Sequence, residues 1–214
     1  IQFETEVVAR RNENKRYADF VTALSPLLLA NRLTDHKVAI IQTGDYPDTV
    51  RILRETIEQA GASVNSTTVF DRNFVGRATA NLATIMDTLR QNHPTITSDI
   101  PSVLKFVAAA ICKGGSETDL LALQKLRLIS MDGDYSHSND IVLVVGGASL
   151  EYESRAESLD APLVQHIKAN GIVTICAEPE KAAISYMNVV QKLDVSTVDN
   201  ADTDFGRLTL VLAM

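Results

Sequence analysis

The apolar positions change period as the chain runs. Across "IQFETEVVARRNENKRYADF" (1–20) they are sparse, at Ile1, Val7 or Val8, Tyr17 and Phe20, a thin stripe at helical spacing among charges. Such a stripe fits the exposed helix at the end of a coiled coil better than a piece of core. The helix is expected to resume or continue through "VTALSPLLLANRL", with Pro26 forcing a break or kink because proline removes a backbone donor. Residues 1–30 are therefore read as a helical stalk and 31–214 as the globular domain.

From residue 36 the pattern turns into runs. "HKVAIIQT" (36–43) is a short continuous apolar segment, the mark of a strand buried on both faces. "GDYPDTVRILRETIEQAG" then returns to helical spacing at Val50, Leu53, Ile57 and Ala60, with Asp45 as the expected N-cap, Pro47 in the first turn and Gly61 as the stop. "ASVNSTTVF" reads as a second strand. The same grammar recurs in "NDIVLVVGGAS" as a strand, in "LDAPLVQHIKANG" as a helix with Asp160 as N-cap, Pro162 in the first turn and Gly171 as stop, and in "IVTICAE" as a strand. Two strand-helix-strand units without hairpin signals imply a mostly parallel sheet, and right-handed crossovers put helices on both faces. The expected fold is α/β: a small Rossmann-like three-layer domain preceded by the helical stalk.

Residues 76–128 read as mostly helical: "GRATANLATIMDTLRQN", a turn at "HPTITSDIPS", "VLKFVAAAICKG" and "SETDLLALQKLRL". "LRLIS" is a candidate further strand leading into the polar loop "MDGDYSHSND". At the end, "RLTLVLA" has mixed periodicity: it suits a helix starting near Phe205 and capped by Thr203 or Asp204, or else a final strand.

Composition narrows the functional classes. At 214 residues and 45% hydrophobic, the chain can bury the core of one domain with an appendage, which excludes disorder. A net charge of −7 argues against non-specific nucleic-acid binding, which needs a surplus of Lys and Arg. No run approaches the roughly 20 apolar residues of a membrane helix, and no signal peptide is visible. The first residue is Ile1 rather than methionine, from which an upstream segment is expected. Cys112 and Cys176 lie in apolar surroundings without CxxC spacing and read as plain buried thiols, a single disulfide being the alternative.

In open parallel sheets, ligands bind beyond the carboxyl ends of the strands. Here those ends carry "TGDYPD", "GGAS" and "AEPE", which makes Thr43, Asp45, Gly146, Gly147 and Glu178 the candidate ligand-binding residues, with Asp199 in the closing acidic stretch added as a sixth. Gly146 and Gly147 permit close backbone approach, or simply a tight turn before the helix. Neither GxGxxG nor GxxxxGK[ST] is present, so nucleotide binding lacks its diagnostic residues. Asp132, Asp134, His137 and Asp140 could hold a divalent ion or be ordinary turn residues. Copper favours thiolate, thioether and imidazole ligands, and the 4 His, 4 Met and 2 Cys are scattered, so no metal ligands and no cofactor are assigned. There is no GxSxG and no local signature joining a cysteine to a histidine, and the expectation is a non-enzymatic protein. The acidic "VDNADTDFG" fails as a calcium loop: counted from Asp199 the required positions hold Ala201 and Thr203, and counted from Asp202 the fifth is Gly206.

Taken together, "DHKVAIIQTGDYPDTVRILRETIEQAGASV", "RNFV", "IVLVVGGAS" and the closing "VSTVDNADTDFGRLTLVLAM" resemble the MctB-like copper transport family of actinobacteria and related Gram-positive bacteria. The similarity runs from about residue 30 to the end. It implies a short cytoplasmic end, one transmembrane helix and a coiled coil upstream, a globular domain outside the membrane, and a part in copper transport or homeostasis, with channel activity proposed for mycobacterial members. It also implies a rival role, a membrane-anchored homodimer paired through its N-terminal helix that presents the domain to cell-wall or division partners. A small-ligand sensing domain is the third reading. A transmembrane β-barrel would need many segments of alternating polarity, whereas this chain shows buried α/β patterning.

Overall fold

The computed structural model describes residues 2–214, apart from the side chains of residues 2–6, 9 and 18. Six strands form one open sheet: β1 (Lys37–Gln42), β2 (Ser63–Phe70), β3 (Ile129–Gly133), β4 (Ile141–Val145), β5 (Val173–Ala177) and β6 (Ser196–Val198). Their spatial order is β3-β2-β1-β4-β5-β6, the order of doubly wound sheets. Every neighbouring pair is parallel except β2 and β3, which are antiparallel. Between β1 and β4 the register sets Ile40 beside Leu143 and Ile41 beside Val144.

Side chains alternate across a strand, so the continuous apolar runs feed two cores. On one face Val38, Ile40, Leu143 and Ile175 pack against helices α2 (Pro47–Gln59) and α9 (Asp204–Ala213). On the other, Ala39, Ile41, Val144 and Cys176 pack against five helices: α3 (Phe74–Ala80), α4 (Leu82–Asn92), α5 (Ile100–Lys113), α6 (Glu117–Lys125) and α7 (Ala161–Ala169). The short α8 (Met187–Val190) closes this layer beside α7. The long α1 (Gln2–Leu29) docks its C-terminal end, burying Val21 and Leu29, while α9 lies alongside it. No helix among the described residues is long and apolar enough to cross a membrane.

Several local expectations need correction. Pro26 does not break α1, which runs through to Leu29. The proline falls in the last turn, where Ser25 Oγ donates to Val21 O (2.7 Å) and Ala30 N still reaches Pro26 O (3.2 Å). Asp45 does not cap α2: Tyr46 holds that position, no side chain caps it, and the Asp45 carboxylate is paired with Arg72 instead. Asp160 does not cap α7 either. Its backbone is helical, because a π-helical turn (Ala156–Asp160) extends the helix backwards and carries the carboxyl into the interior.

The strand expected at "LRLIS" begins only at Ile129 and runs on through Met131, Asp132 and Gly133, taking the start of the supposed polar loop. As an edge strand it tolerates polar, exposed side chains. The chain end is a helix, not a strand, and Thr203 is its cap, accepting from Gly206 N at 3.1 Å. Both cysteines are free and buried.

Candidate functional site: a cleft at the strand ends

The sheet reverses direction of winding between β1 and β4, and the two following loops part there. The β1–α2 loop brings Thr43, Gly44 and Asp45, and the β4 loop brings Gly147, Ala148 and Ser149. Their backbones are tightly juxtaposed: Thr43 N and Gly44 N both donate to Val145 O (2.9 and 3.1 Å), and a Cβ on Gly44 would lie 2.8 Å from Gly147 O. Glycine is therefore required for the two loops to meet. Outside this junction lie two cavities, of about 610 Å³ and about 480 Å³, which share Gly44, Asp45, Arg72 and Arg155 in their walls.

The larger cavity is bounded by Tyr46, Gly147, Ser149 and Tyr152. Tyr152 is 83% exposed at its rim, an aromatic ring with little of the protein covering it, and Leu150 beside it is 48% exposed. Tyr46 is buried, its hydroxyl has no hydrogen-bond partner among the described residues, and Lys181 Nζ lies 5.7 Å from its ring centroid. The smaller cavity continues past the end of β2 and takes in Asp71, Arg127 and Ser130.

The charges here are arranged in steps. Arg72 and Asp45 form an ion pair across the two loops, with both side chains more than half exposed. Asp71 is held by Arg77 Nε (3.0 Å) and by Asn73 N (2.8 Å). Arg155, half-buried, gives one hydrogen bond from Nη1 to Asp71 O (2.8 Å) and has no carboxylate within ion-pair distance among the described residues. Desolvation pulls its pKa down, opposed by the charges of Asp160 and Asp71. Beneath this surface Asp160 is buried with Oδ1 unpartnered among the described residues. Burial raises its carboxyl above the ordinary range, partly offset by the Thr43 hydroxyl and the Arg155 charge.

Of the six candidate residues, Asp45 and Gly147 line the larger cavity, and Thr43 lies buried under its floor against Asp160. Gly146 makes room for the Tyr186 ring, which a Cβ would meet at 2.6 Å. Glu178 reaches toward Gly147 and accepts from Tyr186 N (3.1 Å); burial raises its carboxyl, and neighbouring Asp199 adds to the rise. Asp199 itself is exposed and accepts from Asn200 N. Four residues of the site escaped the sequence reading: Arg72, Arg155, Tyr46 and Asp160. Arg72 stands two residues past the end of β2 in "FDRNFV", in a loop at the carboxyl ends of the strands where a charged side chain can face the crevice, and that is the signal that could have found it.

The polar loop disperses its groups. Asp132 pairs with Arg54 (3.0 Å), Asp134 accepts from Ser136 and from His137 Nδ1 (2.9 Å), and Asp140 accepts from Lys37 N (2.9 Å). Among the described residues no group of three or more His, Cys, Asp or Glu is placed to hold a metal ion. A separate cavity of about 420 Å³ lies away from the strand ends, between Phe106 and Lys113, next to a His93–Asp119 pair at 3.0 Å.

A doubly wound, mostly parallel sheet with an open crevice at its switch point is an architecture whose general use is to bind small molecules at the strand ends. The particular family is set by the chain as a whole. It belongs to the MctB family, described as copper transport outer membrane protein, whose model matches residues 2–214. No curated protein matches the chain.

Proposed function

We propose that the chain is a non-enzymatic component of copper transport and homeostasis in the cell envelope, its domain extracytoplasmic and anchored through an upstream membrane segment, and that its Rossmann-like body works by binding a small ligand at the strand ends. The observation that carries this reading is the pair of cavities flanking the Gly44–Gly147 junction, with Arg155 half-buried in their common wall. Membership of the copper transport family supplies the pathway. The test is to fill the cleft from its mouth. Ser149 is exposed and lines the larger cavity, so Ser149→Trp introduced into the full-length gene product should impair copper tolerance and raise cell copper at unchanged protein level. Wild-type copper handling in that strain would reject the cleft as the working surface.

A second reading has its own support. Tyr17 and Phe20 on α1 are 56% and 62% exposed, and three residues apart they share one side of the helix. Such an exposed side favours a homodimer that acts as a scaffold for cell-wall or division partners.

A further inference from the structure

The wall between the two cavities is built from one cation already paired with a carboxylate and one that is not. Arg72 is held by Asp45, a carboxylate from the neighbouring loop, and this exposed ion pair is of the kind that contributes little to stability. Arg155 is less accessible and has no carboxylate at ion-pair distance among the described residues, although a guanidinium presents five donors in a fork suited to carboxylate and phosphate. A half-desolvated guanidinium that makes one hydrogen bond among the described residues, in a shared cavity wall, has capacity left for an oxyanion.

The surrounding charges do not cancel this. Asp71 is occupied by Arg77, and Arg127 adds a further cation at the smaller cavity. Glu153 at the larger cavity opposes it. Counting the cavity walls with Arg77, four arginines face Asp45, Asp71 and Glu153, with Asp160 beneath them where burial favours its neutral form, in a chain whose net charge is −7. The apolar and aromatic lining from Tyr46, Leu150 and Tyr152 suits an organic body rather than a bare ion.

The geometry points to a binding site for a small organic molecule bearing one oxyanion group, phosphate or carboxylate, which displaces Asp45 from Arg72 and is clamped between Arg72 and Arg155. Asp45 thereby acts as an internal stand-in for the ligand's anionic head, and its removal should favour binding. This inference rests on the reading of the strand-end cleft as a small-ligand site and names the chemistry that site selects.

The test is equilibrium binding of three probes matched in their ring, phenyl phosphate, benzoate and uncharged benzyl alcohol, to the purified chain and to its Arg155→Gln and Asp45→Asn variants. The expected result is saturable binding of at least one anionic probe, the tighter one identifying the head group. Affinity should fall about tenfold in R155Q, rise several-fold in D45N, and weaken with added salt. Circular dichroism melts establish that each variant is folded; Asp45 is exposed, so D45N gives a reading even if R155Q does not fold. Binding of benzyl alcohol as tight as that of the anions, no binding by either anion, or no gain in D45N overturns the inference. Should it be overturned while Ser149→Trp still impairs copper tolerance, the ligand chemistry fails and the cleft stands; if both fail, the cleft itself is rejected.

Discussion

At the scale of single residues, the closing stretch shows what a glycine and a hydroxyl can fix. Asn200 has φ +50 and turns the chain so that its carbonyl lies over the first turn of α9. A Cβ on Gly206 would sit 2.0 Å from that oxygen, backbone that cannot step aside cheaply. Gly206→Ala should therefore destabilise the fold by about 1–3 kcal/mol through overpacking, and Thr203→Ala, which removes the cap, by about 1 kcal/mol. Denaturant midpoints measure both, and a smaller loss in the glycine variant than in the cap variant would contradict the steric account. Asp160 makes the opposite case, a residue that costs stability. Its carboxyl is raised by burial, so the folded state holds the proton more tightly than the unfolded state does. The contribution to stability is complete below the unfolded value and is lost as pH rises through the folded one. Asp160→Asn should raise Tm at pH 7 by about 2–4 °C and leave it nearly unchanged at pH 4; an unchanged or lower Tm at neutral pH would show that the charged form is the one the site stabilises.

At the scale of elements, the sequence was most legible where one physical cause dominates. Continuous apolar runs of strand length specify buried strands, and β1, β4 and β5 lie inside the segments so marked. Gly61 and Gly171, at φ +97 and +75, end α2 and α7 as expected. Caps were less legible, because Asp45 and Asp160 have the chemistry of capping residues but answer to partners distant in sequence, Arg72 and the interior around Thr43. Edge strands were legible only in part: β6 has three residues, too few to show a period, and β3 carries exposed polar side chains on a strand. The site was half visible for the same reason. Asp45 and Gly147 come from the loops that follow strands with strong apolar signals, whereas Arg155 follows an irregular segment that only the fold brings to the crevice. The elements also decide the thiol chemistry. Cys112 in α5 and Cys176 in β5 face the same core, and burial pushes both thiols up to about 12. Neither should react with a thiol reagent at pH 8 in the native protein, while both should react in denaturant; rapid labelling of the native chain would contradict this packing.

At the scale of the whole molecule, α1 has two parts with different duties. Its last turns belong to the body: Val21 and Leu29 are buried, Thr22 Oγ1 donates to Asp204 Oδ2, and α9 runs alongside. Toward its start, Tyr17 and Phe20 are exposed among charged neighbours. If that exposed stripe is covered by a second copy of the chain, as the scaffold reading holds, the division falls near residue 20 rather than at residue 30. A chain of residues 21–214 should then be a monomer by light scattering with a Tm close to that of the same body in the dimer. Residues 31–214 should be monomeric too but less stable, by about 2–5 kcal/mol for each fully buried leucine lost, since the cut removes Leu29 from the core beneath α2 and α9. The whole chain should be a dimer whose mass falls on dilution. A monomeric whole chain at all concentrations would remove the dimeric scaffold and leave the cleft as the surface through which the protein acts. Dimers of residues 21–214 would instead place the self-contact on the body, away from α1.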